Sequence, residues 1–106
     1  MDISDRVKLA SLLSEYGALL TDRQRDMLSM YVEKDMSLLE VSEECGVTRQ
    51  AVLDAVKHGA DSLVAYEDAV GMLRLKRSLK AALDAAVKED ASLKARLSAV
   101  YAVLEG

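Results

Sequence analysis

At 106 residues, with 51% hydrophobic and 30% charged side chains and no proline, the chain has the size of one domain and a composition that favours helix throughout. No apolar run approaches the roughly 20 residues that span a bilayer, and MDISDRVK lacks the basic-then-apolar order of a signal peptide, so the expectation is a cytoplasmic protein without membrane insertion. One cysteine excludes an intrachain disulfide, and a net charge of −4 means that any surface for nucleic acid has to be local.

In chain order, residues 4–16 place Leu9, Leu12, Leu13 and Tyr16 on one helical stripe, with Ser4 or Asp5 as cap. Thr21 and Gln24 then have the spacing of a capping box, which starts a second helix carrying Met27, Leu28, Tyr31 and Val32 inward. Lys34-Asp35 breaks it.

The stretch from Ser37 to Val56, SLLEVSEECGVTRQAVLDAV, is the most strongly specified. Ser37 and Glu40 form a second capping box, and Met36 with Val41 has the spacing of a hydrophobic staple. Gly46 ends this third helix, because glycine takes the left-handed conformation without a Cβ penalty. Thr48 caps the next, and Val47 with Val52 repeats the staple. Two capped helices separated only by residues 46–48 must cross steeply, which is helix-turn-helix geometry over residues 37–58. Capped helix pairs also occur in bundles that touch no nucleic acid.

The fourth helix continues through Val52, Val56, Leu63 and Val70, with Gly59 permitting a close helix crossing. After Gly71, a fifth carries Met72, Leu75, Leu79, Ala82, Leu83 and Ala86 on its stripe. Asp90 caps a sixth with Leu93, Leu97, Val100, Tyr101 and Leu104 on one side. The fold class is therefore all-α: a six-helix single domain over residues 1–106, with a helix-turn-helix and a C-terminal helical pair at 72–104. Alanines at 81, 82, 85, 86, 95, 99 and 102 leave these last helices flat, which points to a homodimer.

His58 and Cys45 cannot complete a four-ligand zinc site, and no glycine-rich loop or strained turn presents a phosphate cradle or a nucleophile. No metal, cofactor or catalytic role is expected. Cys45 reads as a buried spacer. The side chains left outside once the inner stripe is assigned are Thr48, Arg49, Gln50, Leu53, Asp54, Lys57 and His58. Arg49 and Gln50 lie in the first turn, where a reading helix meets base edges; Lys57, two turns on, would meet backbone phosphate. Leu53 offers only apolar contact, and the Asp54 carboxylate would repel phosphate. A second candidate surface lies in residues 72–88, where Arg74, Lys76, Arg77, Lys80 and Lys88 face Asp84 alone.

LLTDRQ at Leu19 to Gln24, SLLEVSEECGVTRQAV at Ser37 to Val52, and Tyr66-Glu67 resemble the YlxM family of bacterial helix-turn-helix proteins, and the same core is similar to the DNA-reading fourth region of bacterial sigma factors. Leu53 and Asp54 depart from the more basic reading helices of sigma factors. The resemblance implies a small cytoplasmic protein, encoded beside signal recognition particle components and regulating that pathway. It leaves open whether the nucleic acid is DNA or the particle's RNA. Together these readings favour a DNA-binding regulator using Thr48, Arg49, Gln50, Leu53 and Lys57. The alternative is an adaptor that binds a protein or RNA component of the particle through Arg74, Lys76, Arg77 and Lys80.

Overall fold

The computed structural model describes residues 3–90 and 92–105; Met1, Asp2, Ala91 and Gly106, the two ends of the predicted domain among them, lie outside the described residues. The chain is all-α, with no strand among the described residues. Its contacts gather into two units, Met1–Gly71 and Met72–Gly106. The first holds α1 (Arg6–Tyr16), a short 3-10 turn (Gly17–Leu19), α2 (Asp22–Val32), α3 (Leu38–Cys45) and α4 (Arg49–Val70).

Each helix of this unit starts where a side chain can satisfy its free N–H groups. Of the two predicted caps for α1, Asp5 does the work, accepting from the Lys8 N–H at 3.1 Å. Both capping boxes are closed. The Gln24 N–H donates to Thr21 Oγ1 at 3.2 Å while the Thr21 N–H donates to Gln24 Oε1 at 3.4 Å. The Ser37 and Glu40 pair does the same at 3.1 and 3.2 Å. The break between α2 and α3 contains Asp35 in the left-handed region at φ 55°. Asp35 pairs with Arg6, whose guanidinium lies 4.2 Å from the centre of the Tyr31 ring. A hydrogen bond to Tyr31, reinforced by Asp35, holds the Arg6 pKa above its already high ordinary value. This ties the start of α1 to the segment that leads into α3.

The core is built from Leu9 and Leu12 of α1, Leu28 of α2, Val41 of α3, and Val52, Val56, Ala60 and Leu63 of α4, all with almost no exposed surface. Val32, expected inward, is only half-buried. Gly59 is buried where α4 crosses α2: a Cβ there would meet Leu28 Cδ1 at 2.6 Å, so the close crossing expected from the sequence is present. At its far end α4 is latched to the first helix, with the Tyr16 hydroxyl donating to Glu67 Oε1 at 2.7 Å and the Tyr66 hydroxyl reaching the Leu19 carbonyl at 3.4 Å.

The second unit holds α5 (Met72–Glu89), α6 (Ser92–Arg96) and α7 (Ser98–Glu105). Asp90 accepts from the Ser92 N–H at 3.0 Å, the capping role expected of it. The predicted sixth helix is divided at Leu97, giving seven α-helices among the described residues. Backbone bonds nevertheless run through the break, from the Leu97 N–H to the Leu93 carbonyl and from the Tyr101 N–H to the Leu97 carbonyl. The Val100 N–H also bonds Leu97 in the tighter i+3 manner, a local winding that interrupts the α pattern for one residue. Tyr101 is buried and its hydroxyl donates to Asp84 at 2.8 Å, while Lys80 pairs with Glu105 at 3.3 Å. The face of α5 turned to α7 therefore carries charged residues. Of its apolar stripe, Leu83 is half-buried, while Met72 is exposed and Leu75 and Leu79 are 52% and 46% exposed.

Candidate nucleic-acid interface

Gly46 takes φ 68°, the left-handed conformation that its lack of a Cβ allows, and the Val47 N–H returns to the Ser42 carbonyl at 3.1 Å, the six-to-one bond of a Schellman closure. Two residues later Thr48 Oγ1 accepts from the Ala51 N–H at 3.1 Å and opens α4. The turn is thus closed on one side by backbone and on the other by a hydroxyl. It holds the first turn of α4 at the surface, with its positive dipole end outward.

Successive positions 49, 50, 53, 54 and 57 fall within an arc of about 140° at 100° per residue. The core stripe Val52, Val56, Gly59, Ala60 and Leu63 occupies the adjoining side of the same helix, its centre about 100° from that of the arc. Thr48, Arg49, Gln50, Asp54, Lys57 and His58 are all exposed. Leu53, expected exposed, is half-buried. The reason is a neighbour: Leu53 lines a depression of about 340 Å³ together with Leu38, Arg49 and Gln50. Leu38 opens α3, so this hollow lies between the starts of the two helices of the motif. Sequence reasoning passed over Leu38, although two adjacent leucines at the start of an amphipathic helix signal that one must face away from the core; Leu39 is 55% exposed.

Gln50 Nε2 donates to Asp54 Oδ1 at 2.9 Å, one turn along α4. The i,i+4 spacing of glutamine and aspartate is a known helical pairing. Cys45 corrects another expectation, being half-buried rather than buried. It ends α3 beside the exposed Gly46, with its sulfur 3.8 Å from Met30 Sδ.

The alternative basic residues lie in the second unit. Arg74, Arg77 and Lys80 are exposed and Lys76 is half-buried. The ammonium of Lys80 is held by Glu105. No group of three or more His, Cys, Asp or Glu side chains placed to hold a metal ion occurs among the described residues, and no helix there is long and apolar enough to cross a membrane.

Residues 3–101 match a protein family described as "Putative helix-turn-helix protein, YlxM / p13 like". Among curated relatives, a UPF0122 protein of Clostridium kluyveri is 38% identical over 78 residues, covering 74% of this chain and 70% of the relative. Another from Caldanaerobacter subterraneus is 44% identical over 70 residues, 66% of this chain and 60% of the relative. A third from Fusobacterium nucleatum is 34% identical over 90 residues, 85% of this chain and 86% of the relative.

Proposed function

The chain belongs to the YlxM/p13-like helix-turn-helix family, and we propose that it is a regulatory protein of the cytoplasm that binds duplex DNA by laying the first two turns of α4 in the major groove. The observation that carries this reading is the division of α4 into a fully buried stripe and an arc, polar and exposed at every position but the half-buried Leu53, that begins at a capped, outward-facing N-terminus. Arg49 and Gln50 stand where base edges are read, and Leu53 offers apolar contact to a thymine methyl. Thr48 and Lys57 flank them as phosphate contacts. Binding is the whole activity in this reading, and no catalytic step is assigned. The regulatory target we favour, from the sequence resemblance alone, is the signal recognition particle pathway.

We further propose that the protein acts as a homodimer through α5. Met72, Leu75, Leu79, Ala82 and Ala86 recur at alternating spacings of three and four, the pattern of a coiled-coil seam, and all five are exposed. A competing adaptor role for the basic side of α5 is weakened by Lys80, whose charge is already paired.

Titration of a randomised duplex pool at two salt concentrations, with wild type and variants, tests the assignment. Arg49→Ala should cost about 1–3 kcal/mol on preferred sites and flatten the preference between sequences. Lys76→Ala with Arg77→Ala should leave duplex binding unchanged. Loss of affinity from the second pair and none from the first would transfer the function to α5.

A further inference from the structure

Asp54 is the residue of the exposed arc that fits worst with DNA, since a carboxylate beside phosphates is repelled, yet it stands at the edge of the arc, one turn from Gln50, and is bonded to it. We infer that Asp54 is a positioning residue that fixes the Gln50 amide to read adenine in the major groove, a refinement that rests on the duplex-DNA reading above.

A glutamine amide has two N–H donors at one end and a carbonyl acceptor at the other, and a free side chain can present either end first. An ionised carboxylate only accepts, so the 2.9 Å bond to Asp54 Oδ1 selects the nitrogen end and holds it toward the second turn of α4. One N–H and the carbonyl oxygen remain uncommitted by that bond. Side by side they present one donor and one acceptor, the complement of adenine N7 and the adenine N6 amino group. The bond also removes rotamer freedom that Gln50 would otherwise lose on binding. The neighbouring hollow lined by Leu38 and Leu53 supplies an apolar wall beside the same amide, suited to the methyl group of a thymine. The chemistry recognised is therefore an adenine–thymine step, and the cost in charge is offset by a gain in base preference.

The acceptor and the charge of Asp54 can be separated. Asp54→Asn keeps a carbonyl oxygen within reach of Gln50 and removes the charge; Asp54→Ala removes both. The probe is a randomised duplex pool selected on the wild-type protein, sequenced, and followed by titration of the winning duplex and of the same duplex carrying 7-deazaadenine at each preferred adenine in turn. Wild type should lose between about fivefold and a hundredfold in affinity at one 7-deazaadenine position. Asp54→Asn should keep that discrimination while binding all duplexes more tightly. Asp54→Ala and Gln50→Ala should both abolish it, and all variants should keep the wild-type helical circular dichroism because both side chains are exposed. Equal discrimination by Asp54→Ala and wild type, or loss of a cytosine preference in place of an adenine one, overturns the positioning role and leaves duplex binding standing. No saturable binding of wild type to any duplex in the pool overturns the duplex-DNA reading itself.

Discussion

Replacing Gly59 by alanine tests how tightly α4, and with it the proposed reading surface, is seated on α2. An ideal Cβ at position 59 would stand 2.6 Å from Leu28 Cδ1, 3.5 Å from Leu28 Cγ and 3.6 Å from Gln24 Cβ. Leu28 is fully buried, so its methyl has no open volume to turn into. Two effects oppose each other. Alanine is favoured over glycine in a helix interior by about 1 kcal/mol, whereas an added methyl in a filled core costs about 1–3 kcal/mol. The net effect of Gly59→Ala is a loss of stability of up to about 2 kcal/mol. Leu28→Val removes both Cδ methyls, the obstructing one among them, in exchange for a second Cγ on Cβ, and the Cγ position that leucine already fills stands at an ordinary contact distance of 3.5 Å. That substitution alone costs about 1 kcal/mol. In the Leu28→Val background the helix-propensity gain survives and the clash does not, so Gly59→Ala becomes stabilising by about 1 kcal/mol. Chemical denaturation of the four proteins gives the coupling, about 1–3 kcal/mol. A gain of equal size from Gly59→Ala in both backgrounds would refute the close crossing.

Three further outcomes follow from other parts of the chain. Thr48→Ala removes the hydroxyl that accepts from the Ala51 N–H and should lower stability by about 1 kcal/mol in denaturant titration with the fold retained; an unchanged midpoint would mean that the cap is idle. Burial and the bond to Asp84 raise the Tyr101 pKa above the ordinary tyrosine value, so its protonated form stabilises the second unit below about pH 10 and that contribution is lost as pH rises through the folded pKa. Tyrosinate absorbance should show a late-titrating group that Tyr101→Phe removes, and persistence of the late phase in that variant would count against the assignment. Leu75→Lys with Leu79→Lys should convert a dimer to monomer in sedimentation at tens of micromolar, an order of magnitude suited to weak interfaces, and a wild-type protein that is monomeric there would exclude the α5 seam.

What the sequence revealed of this fold was what is decided within three or four residues. The capping pairs Thr21 with Gln24 and Ser37 with Glu40, the cap at Thr48 and the left-handed Gly46 are local chemistry, and each forms as its spacing requires. Gly59 was legible because a glycine inside a long helix needs a reason. The misread positions depend on neighbours distant in sequence. Periodicity gives α5 an apolar stripe, but only packing decides whether that stripe is covered, and Leu75 and Leu79 remain exposed while the charged side with Lys80 and Asp84 meets α7. The place of Cys45 one residue before the turn predicts burial and the helical stripe of α4 predicts exposure of Leu53, yet both are half-buried, because each sits at the rim of the motif. As a charge alone, Asp54 repels phosphate. Its hydrogen bond to Gln50 changes its meaning, and the i,i+4 spacing that would have disclosed it was in view.

The charge balance of the exposed arc bears on how such a protein could regulate. Arg49 and Lys57 are opposed by Asp54 and Asp61, so the arc is close to neutral and sits on a chain of net charge −4. Non-specific duplex binding rises with the number of phosphates neutralised, and even with Arg49 counted beside Lys57 the salt slope is at most about 1.8 in one monomer. A surface of this kind discriminates by hydrogen bonds more than it attracts by charge, which suits an amide held in place by a carboxylate. Under the proposed reading its affinity as a monomer would be correspondingly low. A second copy, joined through α5, would double the cationic contacts and make the second binding event intramolecular, raising affinity without new residues at either reading surface. Under the proposed dimer the apolar seam would supply the avidity that the weakly charged α4 surface lacks, and a salt slope near twice the monomer value, lost together with the dimer in Leu75→Lys with Leu79→Lys, is the signature expected of the pair.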